Sequence, residues 1–258
     1  MNTPAYLYAW ISLDTDRTPL VLGWGGGTWQ GVQRPTTKAA NLACDAAQAL
    51  LSGITAGYRD GGGVFIGSTT GSLHDDLVFD ESRVMDGGQY PSPNAFRRTL
   101  PSTIATEITM DLGLHGPVIV YAAGAASAAV ACVRGIDYLR RGIVPMAIVG
   151  GFEIWTGGDH GAMAKAQVPE GTEAIIPRPT SAERCQIVLA LIGSAEIPGH
   201  RRPLGQFAQA NLGGSDIHLP GQTDRSLNLL VDLLVAGQGR MEVDGAVGIK
   251  VVLELQRR

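Results

Sequence analysis

The run GPVIVYAAGAASAAVACVRGIDYLRRGIVPMAIVGGFE, Gly116 to Glu153, has the layout of a nucleophile-presenting site but holds no nucleophile at its turn. An apolar strand, Val118 to Tyr121, passes through a tight turn of small residues into an alanine-rich helix ending near Gly142. A second buried strand, Met146 to Val149, ends on the pair Gly150-Gly151. A helix N-terminus stabilises negative charge through its dipole, so a thiolate placed in such a turn is activated. This turn offers Ala122, Ala123, Gly124, Ala125 and Ala126, none of which can attack an electrophile. Ser127 follows, outside a G-x-S-x-G elbow and with no His or Asp placed by motif to activate it.

Other candidate groups are sparse. Asp159-His160 and Asp216 with His218 are pairs without a third spaced partner, so no metal site is expected. Gly23-Trp24-Gly25-Gly26-Gly27 and Gly61-Gly62-Gly63 match neither a P-loop nor a dinucleotide fingerprint, and read as turns. The doublets Arg97-Arg98, Arg140-Arg141 and Arg201-Arg202 suit either a solvated face or an acidic docking partner.

With 45% hydrophobic and 17% charged residues in 258, the chain is a folded globular protein with ample length for a core. A net charge of −4 gives no global basic field for nucleic acid or a membrane surface. Cys44, Cys132 and Cys185 are scattered among apolar residues, a pattern of reduced, buried thiols in a cytoplasmic protein. Met1 to Trp10 lacks the basic start of a signal peptide, and Val118 to Val133 is too short and broken to span a bilayer.

Around the central run, strand-like and helix-like segments alternate. Tyr6 to Leu13 reads as a strand, Lys38 to Leu51 as a helix, and Val64 to Gly67 as a short buried strand. His74 to Asn94 reads as a polar, mobile segment, and Phe96 to Leu112 as a helix capped by Gly113. Beyond Glu153 lie a loop (Gly157 to Pro179), an apolar strand (Cys185 to Ser194), and an irregular stretch (His200 to Thr223). A helix (Arg225 to Ala236) and a strand (Gly248 to Leu255) close the chain. The alternation implies an α/β layered fold with a largely parallel buried sheet.

Ser92 to Gly151 resembles the N-terminal half of β-ketoacyl synthases, which have the thiolase fold. The likeness is carried by SPNAF, LPSTIATEITM, LGLHGP, the strand–turn–helix and AIVGGFE, and GIKVVLELQRR resembles a full synthase's last strand. The resemblance implies a thiolase-like layered αβα(βα) fold in one domain, 1–258. Its 1–195 part would be the N-terminal-half-like core, and 196–258 a second half reduced to one helix and one strand. Counting back from Gly150, the position of the family's nucleophilic cysteine falls on Ala125, and Cys132 lies about two helical turns further on. His200 and His218 lack the motifs of the family's catalytic histidines.

A synthase-like chain without these groups resembles a chain-length factor, the inactive subunit that pairs with an active ketosynthase in type II polyketide systems. The shortened form is most similar to the small ketosynthase-like subunits of aryl-polyene and xanthomonadin-type pigment clusters. The resemblance implies no cofactor, an active ketosynthase as partner, and an acyl carrier protein that touches this subunit directly or through its partner. The alternatives are a divergent thiolase-fold acyltransferase or hydrolase, and a homodimeric carrier-binding scaffold.

Phe96, Leu100 and Ile104 recur at helical spacing and are expected to share one face, ordinarily a core face. By the resemblance this face lines the acyl tunnel near the two-fold axis, with Leu100 as gatekeeper and Thr103 and Glu107 as polar neighbours. Arg97 and Arg98 would meet the carrier protein. Val118, Ile119, Val120 and Tyr121 would form the dimer strand, paired antiparallel across the interface.

Overall fold

The computed structural model describes residues 3–14, 21–23, 37–85, 87–88, 90–156, 183–194, 197–198, 203–214, 225–244 and 249–257. Strands β1 (Tyr6–Asp14) and β2 (Val21–Gly23) come first, followed by helices α1 (Lys38–Leu50) and α2 (Ala56–Arg59). Then come β3 (Gly63–Gly67), α3 (Leu73–Met85), α4 (Pro93–Phe96), α5 (Thr103–Leu112), β4 (Val118–Tyr121), α6 (Ser127–Arg140) and β5 (Met146–Thr156). The rest is β6 (Glu183–Gly193), β7 (Gly205–Gly214), α7 (Arg225–Ala236), β8 (Gly239–Asp244) and β9 (Ile249–Arg257).

The strands form one mixed sheet in the order β4-β3-β5-β6-β1-β7-β9-β8, with β2 beside β1. β3 runs parallel to β4 and β5, and the other pairs are antiparallel. Because side chains alternate along a strand, each central strand feeds two cores. Ala147 and Val149 of β5 and Val188, Ala190 and Ile192 of β6 pack under α6. Met146, Ile148, Ile187, Leu189 and Leu191 pack on the other face with α1 and α5. The N-terminal strands therefore lie between two helical layers.

Helix α6 lies unusually close to the sheet because glycine underlies it. A Cβ on Gly67 would sit 2.1 Å from the Ser127 carbonyl group, and one on Gly151 would sit 2.7 Å from the Ala128 Cβ. Gly150 has φ 144°, and a Cβ there would meet the Val188 carbonyl oxygen at 1.9 Å. The glycine pair thus lies inside a long strand. β5 does not end there, as the sequence suggests, but continues to Thr156 along β6.

The second half is richer than one helix and one strand. β7, α7, β8 and β9 repeat the arrangement of β1, α6, β5 and β6, and meet them where β1 pairs β7. β7 was hidden by a Gly- and Asn-containing sequence of low strand propensity, which its neighbours β1 and β9 override. β8 has the alternation a strand needs, with Met241 and Val243 buried and Arg240, Glu242 and Asp244 exposed.

Two corrections concern the helices. The segment expected to be mobile contains α3, a full helix whose low hydrophobicity masked it. The helix expected over Phe96 to Leu112 is two helices, because Pro101 disfavours helix at Leu100 and interrupts the ladder. Gly113 caps α5 as expected, with φ 64°. The glycine-rich run after Gly23, the loop from Gly157 to Pro179, and residues 215–224 lie outside the described residues.

The close approach of α6 sets a prediction for stability. Gly67→Ala must push the first turn of α6 off β3 and is expected to cost about 3 kcal/mol or more. Gly213→Ala, where a Cβ meets nothing within 4 Å, should stay within about 0.5 kcal/mol of the parent. Urea midpoints of the two variants check this, and similar midpoints would refute it.

Candidate functional site

The turn between β4 and α6 is held by side chains rather than by a cap residue, since the Ala126 side chain cannot accept a hydrogen bond. Ser127 Oγ accepts from the Ala123 N–H at 2.9 Å and donates to the Gly124 carbonyl at 2.6 Å. Thr69 Oγ1 donates to the same carbonyl at 2.8 Å. Ser127 is 1% exposed, and its hydroxyl proton is engaged within the turn. Ala125 is part-exposed at this helix N-terminus, and Cys132 is buried one face down the helix. Burial pushes the Cys132 thiol up to about 12, away from the thiolate that nucleophilic attack requires.

Beneath the turn is a carboxyl group that motif reading does not single out. Glu153, 2% exposed, accepts hydrogen bonds from the Thr69 N–H, from the Thr70 N–H at 2.9 Å, and from Thr70 Oγ1 at 2.5 Å. Burial raises its pKa, and the threonine hydrogen bonds oppose the rise. The buried Gln186 stands opposite it in the β5–β6 register and donates to Asn228 Oδ1 at 3.1 Å, on the first turn of α7. A Cβ on Gly151 would touch both Ala128 and Leu227, so the N-termini of α6 and α7 converge over this point. The visible signal is the single charged residue in an otherwise uncharged strand.

Strand β4 pairs with β3 on one side and forms one edge of the sheet. It is less buried than its apolar sequence implies: Val118 is 39% exposed and Ile119, Val120 and Tyr121 are half-buried. No residue of β4 is charged, whereas the opposite edge, β8, carries Arg240, Glu242 and Asp244. Burial raises the Tyr121 pKa, with Arg134 opposing.

The residues expected to share one tunnel face are separated. Phe96 (60% exposed) closes α4, Leu100 (59% exposed) lies in the following turn, and Ile104 (6% exposed) points into the core with α1. Phe96 and Leu100 instead join Val84, Met85 and Tyr90 as exposed apolar side chains of the α3–α4 region. The Phe96 ring packs on Phe79 at 5.4 Å. Thr103 Oγ1 donates to the Arg97 carbonyl at 3.2 Å, and Glu107 is half-buried on α5. Arg97 is exposed, but Arg98 turns inward to Asp75 at 3.4 Å. Asp159, His160, His200, Arg201, Arg202, Asp216 and His218 lie outside the described residues. Among the described residues, no group of three His, Cys, Asp or Glu is arranged to hold a metal, and no helix is long and apolar enough to cross a membrane.

The family model of the β-ketoacyl synthase N-terminal domain matches residues 31–170. The fold is that of several solved structures. One is the ishigamide ketosynthase/chain length factor, with TM-score 0.69 and 14% identity over 98% of this chain and 99% of that one. Another is a β-ketoacyl synthase from Burkholderia phymatum, with TM-score 0.71 and 11% identity over 100% of both chains. A third is a type II polyketide synthase acyl-carrier protein in complex with its hexaketide-bound ketosynthase, with TM-score 0.69, 11% identity and 100% coverage of both chains. No curated protein matches the chain in sequence.

Two predictions follow from this geometry. Iodoacetamide should leave the native chain unlabelled, because Cys44, Cys132 and Cys185 are all buried. Ala125→Cys should take up one label at the helix N-terminus, and mass spectrometry before and after unfolding reads both results. The second concerns pH. The folded chain keeps Glu153 protonated to higher pH than the unfolded chain does, so stability falls as pH rises above the ordinary value of 4.5. Glu153→Gln should remove that fall, whatever its fixed cost. Parallel urea midpoints of the two proteins across pH would contradict this.

Proposed function

The chain belongs to the β-ketoacyl synthase family by its N-terminal domain, and we propose that it is a non-catalytic chain-length-factor subunit within that family. In this reading it pairs with an active ketosynthase in the cytoplasm and bounds the acyl tunnel of a type II polyketide system making polyene-like products. The observation that carries the reading is Ala125 in the turn where the family's nucleophilic cysteine would stand. Condensation transfers the growing acyl chain onto a thiolate before the new carbon–carbon bond forms, and an alanine methyl can form no thioester. The remaining thiols are buried, and Ser127 spends its proton on Gly124. That arrangement also weighs against a hydrolase built on Ser127.

The apolar, uncharged β4 edge supports a partner, since an exposed edge without charge invites pairing. Its four residues span only about 13 Å, so the strand alone is too short a contact to bury the roughly 1,600 Å² of a stable interface. The exposed apolar residues of the α3–α4 region supply further surface. The ishigamide ketosynthase/chain length factor supports an active ketosynthase as partner, and the carrier-protein complex supports an acyl carrier protein bound to the assembly. The competing occupant is a second copy of this chain, as a carrier-binding scaffold would have it.

Co-expression with the active ketosynthase is expected to give a 1:1 complex, and this chain alone should form no acyl-enzyme from acyl- and malonyl-carrier protein. Within the complex, Leu100→Ala should lengthen the product and Leu100→Phe shorten it. Leu100 is more than half exposed, so Leu100→Ala in the isolated chain should shift stability by less than about 1 kcal/mol. Ile104 is a core residue, and changes there would report on packing instead. Product length by chromatography, read beside melting curves, decides. Unaltered length in both assembled Leu100 variants, or a homodimer that ignores the ketosynthase, would sink the proposal.

A further inference from the structure

The turn joining α4 to α5 presents Phe96 and Leu100 outward, but Pro101 keeps it from being fixed by a continuous helix. Its position comes from polar contacts to the first turn of α3. Ser72 Oγ hydrogen-bonds the Thr99 carbonyl and lies 3.2 Å from Asp76 Oδ2. Arg98 Nε lies 3.4 Å from Asp75 Oδ1. Within the turn, Thr99 Oγ1 donates to the Phe96 carbonyl at 2.8 Å and Thr103 Oγ1 to the Arg97 carbonyl at 3.2 Å. Just ahead of α3, Thr69 and Thr70 are fixed by the buried Glu153.

Given the chain-length reading on which this rests, the geometry points to Arg98 as the positioning residue that holds Leu100 at a fixed depth in the partner's tunnel. Its guanidinium does so by tying residues 97–102 to Asp75 of α3. Arg97 and Arg98 are adjacent in sequence yet have different surroundings. Arg97 is solvent-exposed, while Arg98, its side chain 31% exposed, leans inward on a buried carboxylate. The contact is a charge pair in which Nε lies 3.4 Å from Asp75 Oδ1 without a hydrogen bond, so a lysine ammonium reproduces it only as far as its reach allows. With the tie broken, Leu100 samples a range of depths and the wall it forms becomes indistinct.

The test uses the assembled complex with the active ketosynthase. Arg98→Met and Asp75→Asn should each raise the fraction of off-length product about five-fold, and the double variant should do no more than either single, because the two act as one unit. Arg98→Lys should restore the product distribution in part. The KM for acyl-carrier protein should not move. Hydrogen exchange on the 96–103 segment should accelerate about ten-fold in Arg98→Met while β5 and β6 exchange as before, which separates a loosened turn from a misfolded chain.

Accelerated exchange with an unchanged product distribution overturns the role of Arg98. A raised carrier-protein KM in Arg98→Met, with none in Asp75→Asn, overturns it in favour of carrier docking. Leu100→Phe keeps this failure distinct from failure of the parent reading. A shift in length with Leu100→Phe but not with the Arg98 variants defeats only the positioning role, whereas no shift in any variant defeats the chain-length reading as well.

Discussion

The approach of α6 to within backbone contact of the sheet is the constraint on which the rest of the structure depends. Gly67 and Gly151 leave room for the Ser127 backbone and the Ala128 methyl, and Gly135 on the helix leaves room for Val149. With side chains removed from both surfaces, the helix settles deep enough for its first turn to meet that of α7 over Gly151. Two helix N-termini then face one point, and the Glu153 carboxyl lies two residues further along that strand face. Burying an ionised carboxyl costs several kcal/mol. Three hydrogen bonds from Thr69 and Thr70, at about 1.5–3 kcal/mol each when the acceptor is charged, offset part of that cost, and burial still raises the carboxyl's pKa. The converging dipoles favour the same charge.

What the sequence reveals divides along physical lines. Strands β1, β3 and β6 and helices α1, α6 and α7 are legible because burial dictates their apolar pattern, as in the unbroken apolar Ile187–Gly193 run. The elements that escape are those whose character comes from neighbours. β7 is a strand because β1 and β9 flank it, despite its glycines and asparagine. α3 has a polar composition with its helix ends marked by little in the sequence. The break at Pro101 is legible from the proline itself, and it separates Phe96 and Leu100 from Ile104. The turn at Ala122–Ala126 could be placed from sequence, but the Glu153–Thr69–Gly124 linkage could not. It joins residues far apart along the chain that no local pattern connects.

The two sheet edges express opposite uses of one fold. At the β8 end, Arg240 and Lys250 both pair with Glu242, at 2.5 and 3.0 Å, on a face that no helix among the described residues covers. Gln206, Asn211, Glu254 and Gln256 lie on the same face, so this end is built for water. Exposed ion pairs of this kind add little stability. Their effect is to make edge-to-edge pairing unfavourable. Strand β4 itself holds no charged residue, and apolar side chains are exposed on both β4 and the α3–α4 region. The two edges therefore differ in kind: β8 carries charge along its length and β4 carries none.

The same logic explains which parts of the turn folding must keep. The side chain at position 125 is part-exposed, so a methyl group there satisfies the turn as well as a larger group would. Ser127, Thr69 and Glu153 have no such freedom. Without the Ser127 oxygen the Ala123 N–H loses its acceptor, and without the Glu153 carboxyl the N–H groups of Thr69 and Thr70 lose theirs. An unpaired buried donor costs about 1–3 kcal/mol, a large share of a stability of about 5–15 kcal/mol. The reacting atom of such a site is therefore the cheapest part to lose, and the groups that shape the turn are the most expensive. A change at position 125 therefore leaves the geometry of the turn in place, because folding itself demands it.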